Sequence, residues 1–357
     1  MTCTTPWDGW PAVVLTGEHF ETVFAKTAHG LVRGPSRFPV MGVVDRLAAG
    51  KDAGESLDGH FRNIPIRDSL DAFRGLHSPE PRMCIVGVAT AGGRLPDDLR
   101  QVLIQAARRG MVLVNGLHEF LCTDEEIRAA ADVGGATIVD LRSPKPFHEL
   151  SFWTGEVLKL NIPRVAVLGT DCALGKRTTM MLLAESLEDA KTIVGKVSTG
   201  QTGFLQGVEH GFILDATPND FVSGELERAI LGAARDLAPD LILVEGQSSL
   251  HNPSGPCGAE FILSGGVTHV ILQHAPHRVF FEGFEEEGFA IPPVEEEIRL
   301  IEMLGARVHA LTLNEEGLDD AEAARRELAE TAGRPVFRPL AGECDQLARY
   351  LMEAIRT

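Results

Sequence analysis

The sequence is poor in the residues that read nucleic acid. Of 357 residues, 17 are Phe, 3 are Trp and 1 is Tyr, too few to build a surface on which bases stack. Positive charge is also short: 33 Lys and Arg stand against 51 Asp and Glu, a formal net charge of −18. A duplex-binding face needs concentrated cations, so no nucleic-acid partner is expected. An anionic ligand must then be held by a local positive site against an unfavourable overall field. No apolar run approaches the roughly 20 residues of a membrane-spanning helix, and no membrane partner is expected. The opening MTCTTPWDGWPAVVL has no basic segment leading into a long apolar stretch, so no signal peptide is read there. Cys3, Cys84, Cys122, Cys172, Cys257 and Cys344 form no CxxC pair. They read as reduced thiols of a cytoplasmic protein, not as a disulfide framework. No HExxH or comparable ligand spacing occurs, and no metal site is expected.

What is present is alternation. Short apolar runs alternate with helical patterns from end to end, the signature of α/β layering with parallel sheets. The length exceeds what one core usually serves. The pattern predicts a Rossmann-like N-terminal domain over residues 1–145 and a P-loop NTPase-like, doubly wound parallel sheet over 146–357. In the first half, Ala12–Leu15, Pro39–Val44, Met83–Ala89, Met111–Asn115 and Ala136–Leu141 read as strands, with helices at Pro96–Arg109 and Asp124–Val133. Gly87, Gly92 and Gly93 do not complete a GxGxxG fingerprint and read as tight turns. Residues 142–162 contain two prolines and lose the rhythm, which places the junction there, with Trp153 packed at it. In the second half, strands are expected at Arg164–Leu168, Thr192–Val197, Leu241–Glu245, Val267–His274, Val308–Asn314 and Pro335–Arg338. Helices are expected at Lys176–Leu187, Gly224–Leu237, Val294–Leu304, Asp319–Ala332 and Gly342–Ile355.

The segment RVAVLGTDCALGKRTTMMLLAESL carries the clearest chemistry. An apolar strand delivers the chain to Gly169, and Gly175-Lys176 opens a helix. Main-chain amides in such a loop converge on an anion, and the helix N-terminus adds positive potential. Gly169, Thr170, Asp171, Cys172, Ala173, Leu174, Gly175, Lys176, Arg177, Thr178 and Thr179 are therefore the expected cofactor-binding residues. The usual spacing is GxxxxGK[ST]. Here five residues separate the two glycines, and Arg177 stands where Ser or Thr normally ligates Mg²⁺, with Thr178 one place later. The extra residue resembles the loop of dethiobiotin-synthetase-like enzymes. The arginine argues against ordinary Mg²⁺–nucleotide hydrolysis and offers a second cation for a further phosphate.

Three further segments end strands at the edge where ligands sit in doubly wound sheets. KVSTGQTG offers Thr199, Gln201 and Thr202 for hydrogen bonds to a substrate. LILVEGQSSLHNPSGP places Glu245 as a Walker-B-like acid or base, followed by Gln247, Ser248, Ser249, His251 and Asn252. ILQHAPHRVFFEGF supplies His274, His277 and Arg278, whose planar fork suits a substrate carboxylate. Any of the three histidines can serve as a base near neutral pH, although a hydrogen-bonded structural role is the commoner fate. Lys26, Thr27, His29 and Arg33 in AKTAHGLVRG read as a surface loop. The runs Glu285–Glu287 and Glu295–Glu297 read as solvated faces.

Taken in order, AKTAHGLVRG, GTDCALGKRTT, GQTG, VEGQSSLHNP and QHAPHR resemble the DgcN-type D-glutamate N-acetyltransferase family, a P-loop group formerly without an assigned function. The resemblance spans roughly residues 10–350. It implies acetyl transfer from acetyl-CoA to the amine of a D-amino acid, with a small-molecule substrate and a homo-oligomeric assembly. On that reading the P-loop holds the phosphates of the cofactor without splitting them. Glu245 or His251 removes the proton of the ammonium, Gln247 and Ser248 serve the oxyanion, and Thr199, Gln201, Thr202, His274 and Arg278 bind substrate. An ATP- and Mg²⁺-dependent enzyme of dethiobiotin-synthetase type, and a nucleotide-binding protein without chemistry, are the alternatives.

Overall fold

The computed structural model describes residues 5–76 and 79–356; Cys3 lies outside them. The chain forms two units. One comprises the chain up to Pro144 together with Gln201–Val208; the other comprises Lys145–Gly200 and the chain from Glu209 onward.

The first unit is built on a six-stranded, all-parallel sheet. Its strands are β1 (Ala12–Gly17), β2 (Val40–Asp45), β3 (Ile66–Arg67), β4 (Met83–Val86), β5 (Val112–Asn115) and β6 (Ile138–Asp140), ordered β3-β2-β1-β4-β5-β6. This is the Rossmann order. Alternation sets the two faces. Val13 and Leu15 of β1 enter one core cluster, Ala12 and Val14 the other. Because both faces are covered, the strand is apolar at nearly every position. One face receives α3 (Asp97–Arg108) and α4 (Glu125–Gly134), the other α1 (Lys26–Arg33). Helix α4 starts where Asp124 accepts hydrogen bonds from the amides of Glu126 and Ile127. A further short helix, α2, spans Ala53–Asp58.

The stretch Lys26–Arg33, expected as a loop, is thus helix α1. Thr27, Ala28, Gly30, Leu31 and Val32 are buried in it. Its glycine and β-branched residues lower helix propensity, but packing of one face overrides that. Asp45 closes β2 at the position that holds a ribose in dinucleotide-binding domains. Here its wholly buried carboxylate accepts hydrogen bonds from Thr16 Oγ1 and the amides of Phe20, Leu47 and Ala48 at 2.9–3.0 Å.

The second unit carries a seven-stranded parallel sheet. Its strands are β7 (Arg164–Gly169), β8 (Val194–Ser198), β9 (His210–Gly211), β10 (Leu241–Glu245), β11 (His269–His274), β12 (Arg307–Leu313) and β13 (Val336–Phe337). The order β13-β12-β11-β7-β10-β8-β9 puts β7 at the centre. Val165 and Val167 face α5 (Lys176–Asp189) and α11 (Cys344–Ala354); Ala166 and Leu168 share the opposite core with α7 (Asn219–Leu237) and α9 (Val294–Met303). The chain leaves β10 on one side of β7 and enters β11 on the other, so the topological switch lies at the carboxyl end of β7. That is where an open α/β sheet leaves a ligand crevice.

Several boundaries differ from the sequence reading. Helix α7 begins at Asn219, five residues before Gly224. Gly224 is no boundary: a Cβ there would lie 2.0 Å from the carbonyl oxygen of Ser151, so the glycine permits close approach of the segment entering the unit. Buried Glu225 and Glu227 of α7 hold that segment by accepting the amides of Ser151, Thr154 and Val157. Trp153 in it donates Nε1–H to the carbonyl of Ser264. Asp320 caps α10 (Ala321–Ala332) instead of lying within it. Short helices occupy Gln201–Leu205 (α6) and Ala259–Leu263 (α8). Among the described residues, no helix is long and apolar enough to cross a membrane.

Candidate functional site

Strand β7 ends at Gly169 and the loop Thr170–Gly175 turns into α5. Gly175 has φ +99°, a left-handed geometry in which a side chain is strained, and Ala173 also has positive φ at +50°. Among the described residues, no acceptor takes the amide hydrogens of Cys172, Ala173, Gly175 or Lys176. Four donors at the N-terminus of a 14-residue helix therefore remain for an anion.

The loop is pinned from behind by three other strand ends. The carboxylate of Asp171, wholly buried, accepts Asn252 Nδ2 at 3.0 Å through Oδ1, and Arg278 Nη1 at 2.9 Å and the Glu282 amide at 2.8 Å through Oδ2. Arg278 Nη1 also donates to the carbonyl of Cys172 at 2.7 Å. Thr170 Oγ1 lies 2.9 Å from His274 Nδ1. Thr179 Oγ1 donates to Gln273 Oε1 at 2.6 Å, and Asn314 Nδ2 donates to the carbonyl of Leu174 at 3.1 Å.

Lys176 is buried, and its ammonium donates to the carbonyls of Asp171 and, at 2.9 Å, Ser248. Burial holds its pKa below the ordinary lysine value, against the opposing pull of Cys172, Asp171, Cys257 and Glu245. Ser248 sits at φ +41°, uncommon for a residue with a side chain. That turn aims its carbonyl at Lys176, and its hydroxyl lies 3.5 Å from Cys172 Sγ. The P-loop and the loop after β10 thus form one hydrogen-bonded assembly.

Glu245, at the end of β10, is also buried. Its Oε2 accepts the amide of Thr199 at 3.0 Å, and its main-chain carbonyl accepts Thr199 Oγ1 at 2.8 Å. Burial raises its pKa; nearby Arg177 and the amides of Thr199 and Gly200 oppose the rise. Gln247 Nε2 donates to Thr199 Oγ1 at 2.9 Å. Burial pushes the His274 imidazole down to about 4, so it is neutral at neutral pH and serves Thr170 as a hydrogen-bond partner.

His251 differs from the other two histidines named from sequence. Its Nδ1 lies 2.5 Å from Oε2 of Glu297, while Oε1 of the same carboxylate accepts the amide of Leu250 at 2.8 Å. Among the described residues, no hydrogen bond engages its Nε2. Glu297, expected on a solvated face, is buried. The signal was in the sequence: Val294, Glu297, Ile298 and Ile301 share the i, i+3, i+4, i+7 spacing of one buried helix face. A carboxylate inside an apolar stripe calls for a partner. The run of three glutamates concealed it.

The structure therefore gathers Thr170, Asp171, Cys172, Lys176, Thr199, Glu245, Gln247, Ser248, His274 and Arg278 into one network within the second unit, with His251 two residues along the chain from Ser249 and adjacent to Asn252. Two expected substrate ligands fall within the other unit by their contacts. Gln201 and Thr202 belong to the first unit, where Arg142 Nη2 donates to Gln201 Oε1 at 3.1 Å and Thr202 Oγ1 lies 3.1 Å from Thr27 Oγ1. Arg278 is committed to Asp171, which makes it a support of the P-loop in this structure.

Residues 151–348 match the family model described as a domain of unknown function, the DUF1611 C-terminal P-loop domain. The chain belongs to the DUF1611 family. Residues 46–144 match the companion Rossmann-like N-terminal model of DUF1611. A crystal structure of a DUF1611 protein from Anabaena variabilis superimposes with a TM-score of 0.85 at 29% identity, covering 97% of this chain and 100% of that one. Two curated relatives carry the name D-glutamate N-acetyltransferase. One, from Tritonibacter scottomollicae, is 28% identical over 71% of this chain and 76% of its own length. The other, from a Pseudoalteromonas species, is 27% identical over 75% of this chain and 80% of its own.

Proposed function

We propose that this protein is an N-acetyltransferase that moves an acetyl group from acetyl-CoA to the amine of D-glutamate or a closely related D-amino acid. The names of the two relatives support the reaction class. The observation that carries the reading is the hydrogen bond from Lys176 to the carbonyl of Ser248, which ties an anion cradle to the loop bearing His251.

The residues fit a phosphorylated cofactor. Four unengaged amides, the N-terminus of α5 and the Lys176 ammonium are suited to a diphosphate. Arg177 adds a second cation beside Glu245. Bound there, the cofactor supplies a thioester carbonyl. The chain's own part is to hold and move protons. His251 accepts the proton that the substrate ammonium must lose before it can attack. Ser248 Oγ accepts from Cys172 Sγ, which leaves the serine hydroxyl proton for an electron-rich oxygen. Glu245 is better suited to holding the Thr199–Gly200 turn than to taking a proton, since its carboxylate is buried and engaged by main-chain amides. Arg278 and His274 fix the cradle, and Thr199 and Gln247 line its neighbouring edge. A cytoplasmic setting accords with the free thiols of Cys84, Cys122, Cys172, Cys257 and Cys344.

Incubation with acetyl-CoA and a panel of D- and L-amino acids tests this. Release of free thiol with D-glutamate, and an acetylated amine by mass spectrometry, are expected. No thiol release with any amino acid, together with metal-dependent phosphate release from ATP, would reject the reading in favour of a nucleotide-hydrolysing enzyme.

A further inference from the structure

We infer that Glu297 is a positioning residue for His251: it fixes the tautomer and the direction of the imidazole and balances the charge the ring acquires on taking a proton. The inference rests on the reading of His251 as the base.

The geometry is specific. One carboxylate uses both oxygens on adjacent residues of one loop, Oε1 on the amide of Leu250 and Oε2 on the ring nitrogen of His251 at 2.5 Å. A carboxylate cannot donate when ionised, so Nδ1 must carry the hydrogen. In the neutral ring Nε2 then holds the lone pair, and among the described residues it makes no hydrogen bond. The next residue, Asn252, is buried and donates to Asp171 within the P-loop. The ring is thereby held between a clamp on α9 and the cradle on β7. When Nε2 accepts a proton from a substrate ammonium, the imidazolium lies against the buried carboxylate and its charge is balanced without movement.

The competing explanation is a loop staple with no bearing on the ring. It accounts for the Leu250 contact but not for the second oxygen. A buried, ionised carboxylate is costly in an apolar stripe, and a Gln in its place would serve the Leu250 amide equally well. The charge is needed only by a group that becomes positive.

The test uses the full chain with Glu297→Gln, Glu297→Leu and His251→Gln, and the double variant of the last two. Selective ¹⁵N-histidine spectra of the ligand-free wild type, with the His251 signal assigned by its absence in His251→Gln, should show Nδ1 protonated and Nε2 bare. Glu297→Leu should move the ring toward the Nε2-protonated form. With acetyl-CoA and the accepted amine, Glu297→Gln should lower kcat by on the order of 10²-fold while leaving KM for acetyl-CoA within about threefold. In the His251→Gln background, Glu297→Leu should add no further loss, since two groups acting as a unit are not additive. An unchanged tautomer in Glu297→Leu, or full additivity of the two losses, overturns the inference. Because the spectra need no turnover, a protein inactive toward acetyl-CoA defeats the proposed reaction while the hold of Glu297 on His251 is still measured.

Discussion

Arg278 Nη1 and Asp171 Oδ2 meet at 2.9 Å, joining the loop after β11 to the P-loop through a carboxylate with no solvent exposure. The contact explains how an acidic residue can sit inside an anion-binding loop: its charge is spent on the scaffold. Removing one partner of such a pair strands the other charge, which costs about 3–5 kcal/mol. Arg278→Ala should lower the thermal midpoint and weaken binding of a phosphorylated ligand. Asp171→Asn should destabilise as well, because both carboxylate oxygens accept from donors and the new amide nitrogen must face one of them. Equal Tm values for wild type and Arg278→Ala would remove this role.

Lys176→Ala separates the cradle from the fold. The ammonium is buried with a lowered pKa, so deleting it relieves a desolvation cost while leaving the carbonyls of Asp171 and Ser248 unengaged, a penalty of about 1–3 kcal/mol. The two oppose each other, and stability should change little. Affinity for CoA by calorimetry should fall by about tenfold or more, the loss of one charge-assisted contact. Unchanged affinity would show that the lysine faces no phosphate.

Two glycines offer a matched comparison. Gly175 has φ +99° and Gly305 has φ +103°, and at both a Cβ would meet nothing within 4 Å. Alanine should cost each about 1–2 kcal/mol of backbone strain. Only Gly175→Ala should also weaken binding of a phosphate-bearing ligand, because it lies among the unengaged amides. If Gly305→Ala affects binding as strongly, the loop is not the ligand site.

His309 provides a pH signature away from the site. Its Nε2 lies 2.8 Å from His269 Nδ1, and burial, with the neighbouring His269, Arg307 and Arg334, lowers it from 6.5 to about 4. The folded value lies below the unfolded one, so the unfolded chain binds the extra proton between those limits. Its contribution is complete above about pH 6.5 and is lost as pH falls toward 4. Denaturant titrations should show stability falling with acidification. His309→Gln should flatten that slope by at most ~1.4 kcal/mol per pH unit, the value for one proton. A slope identical to wild type would mean that His309 does not titrate in this range.

The sequence by itself determined the α/β layering, the two parallel sheets and the strand–loop–helix of the P-loop. These follow from local physics: unbroken apolar runs for strands buried on both faces, and glycines where a main chain must turn left-handed or leave its amides clear. It also supplied most residues of the candidate network, because strand ends in a doubly wound sheet converge at one edge. Tertiary structure alone decided what those residues do there. Arg278 turns Nη1 to Asp171, Gln201 and Thr202 belong with the first unit, and Lys26–Arg33 is helical because one face is packed. Glu297 shows the reason most clearly. Its place in the apolar stripe of α9 was readable, but that its partner would be His251, 46 residues earlier, was not, since pairing across such a separation is fixed only when the core brings the two elements together.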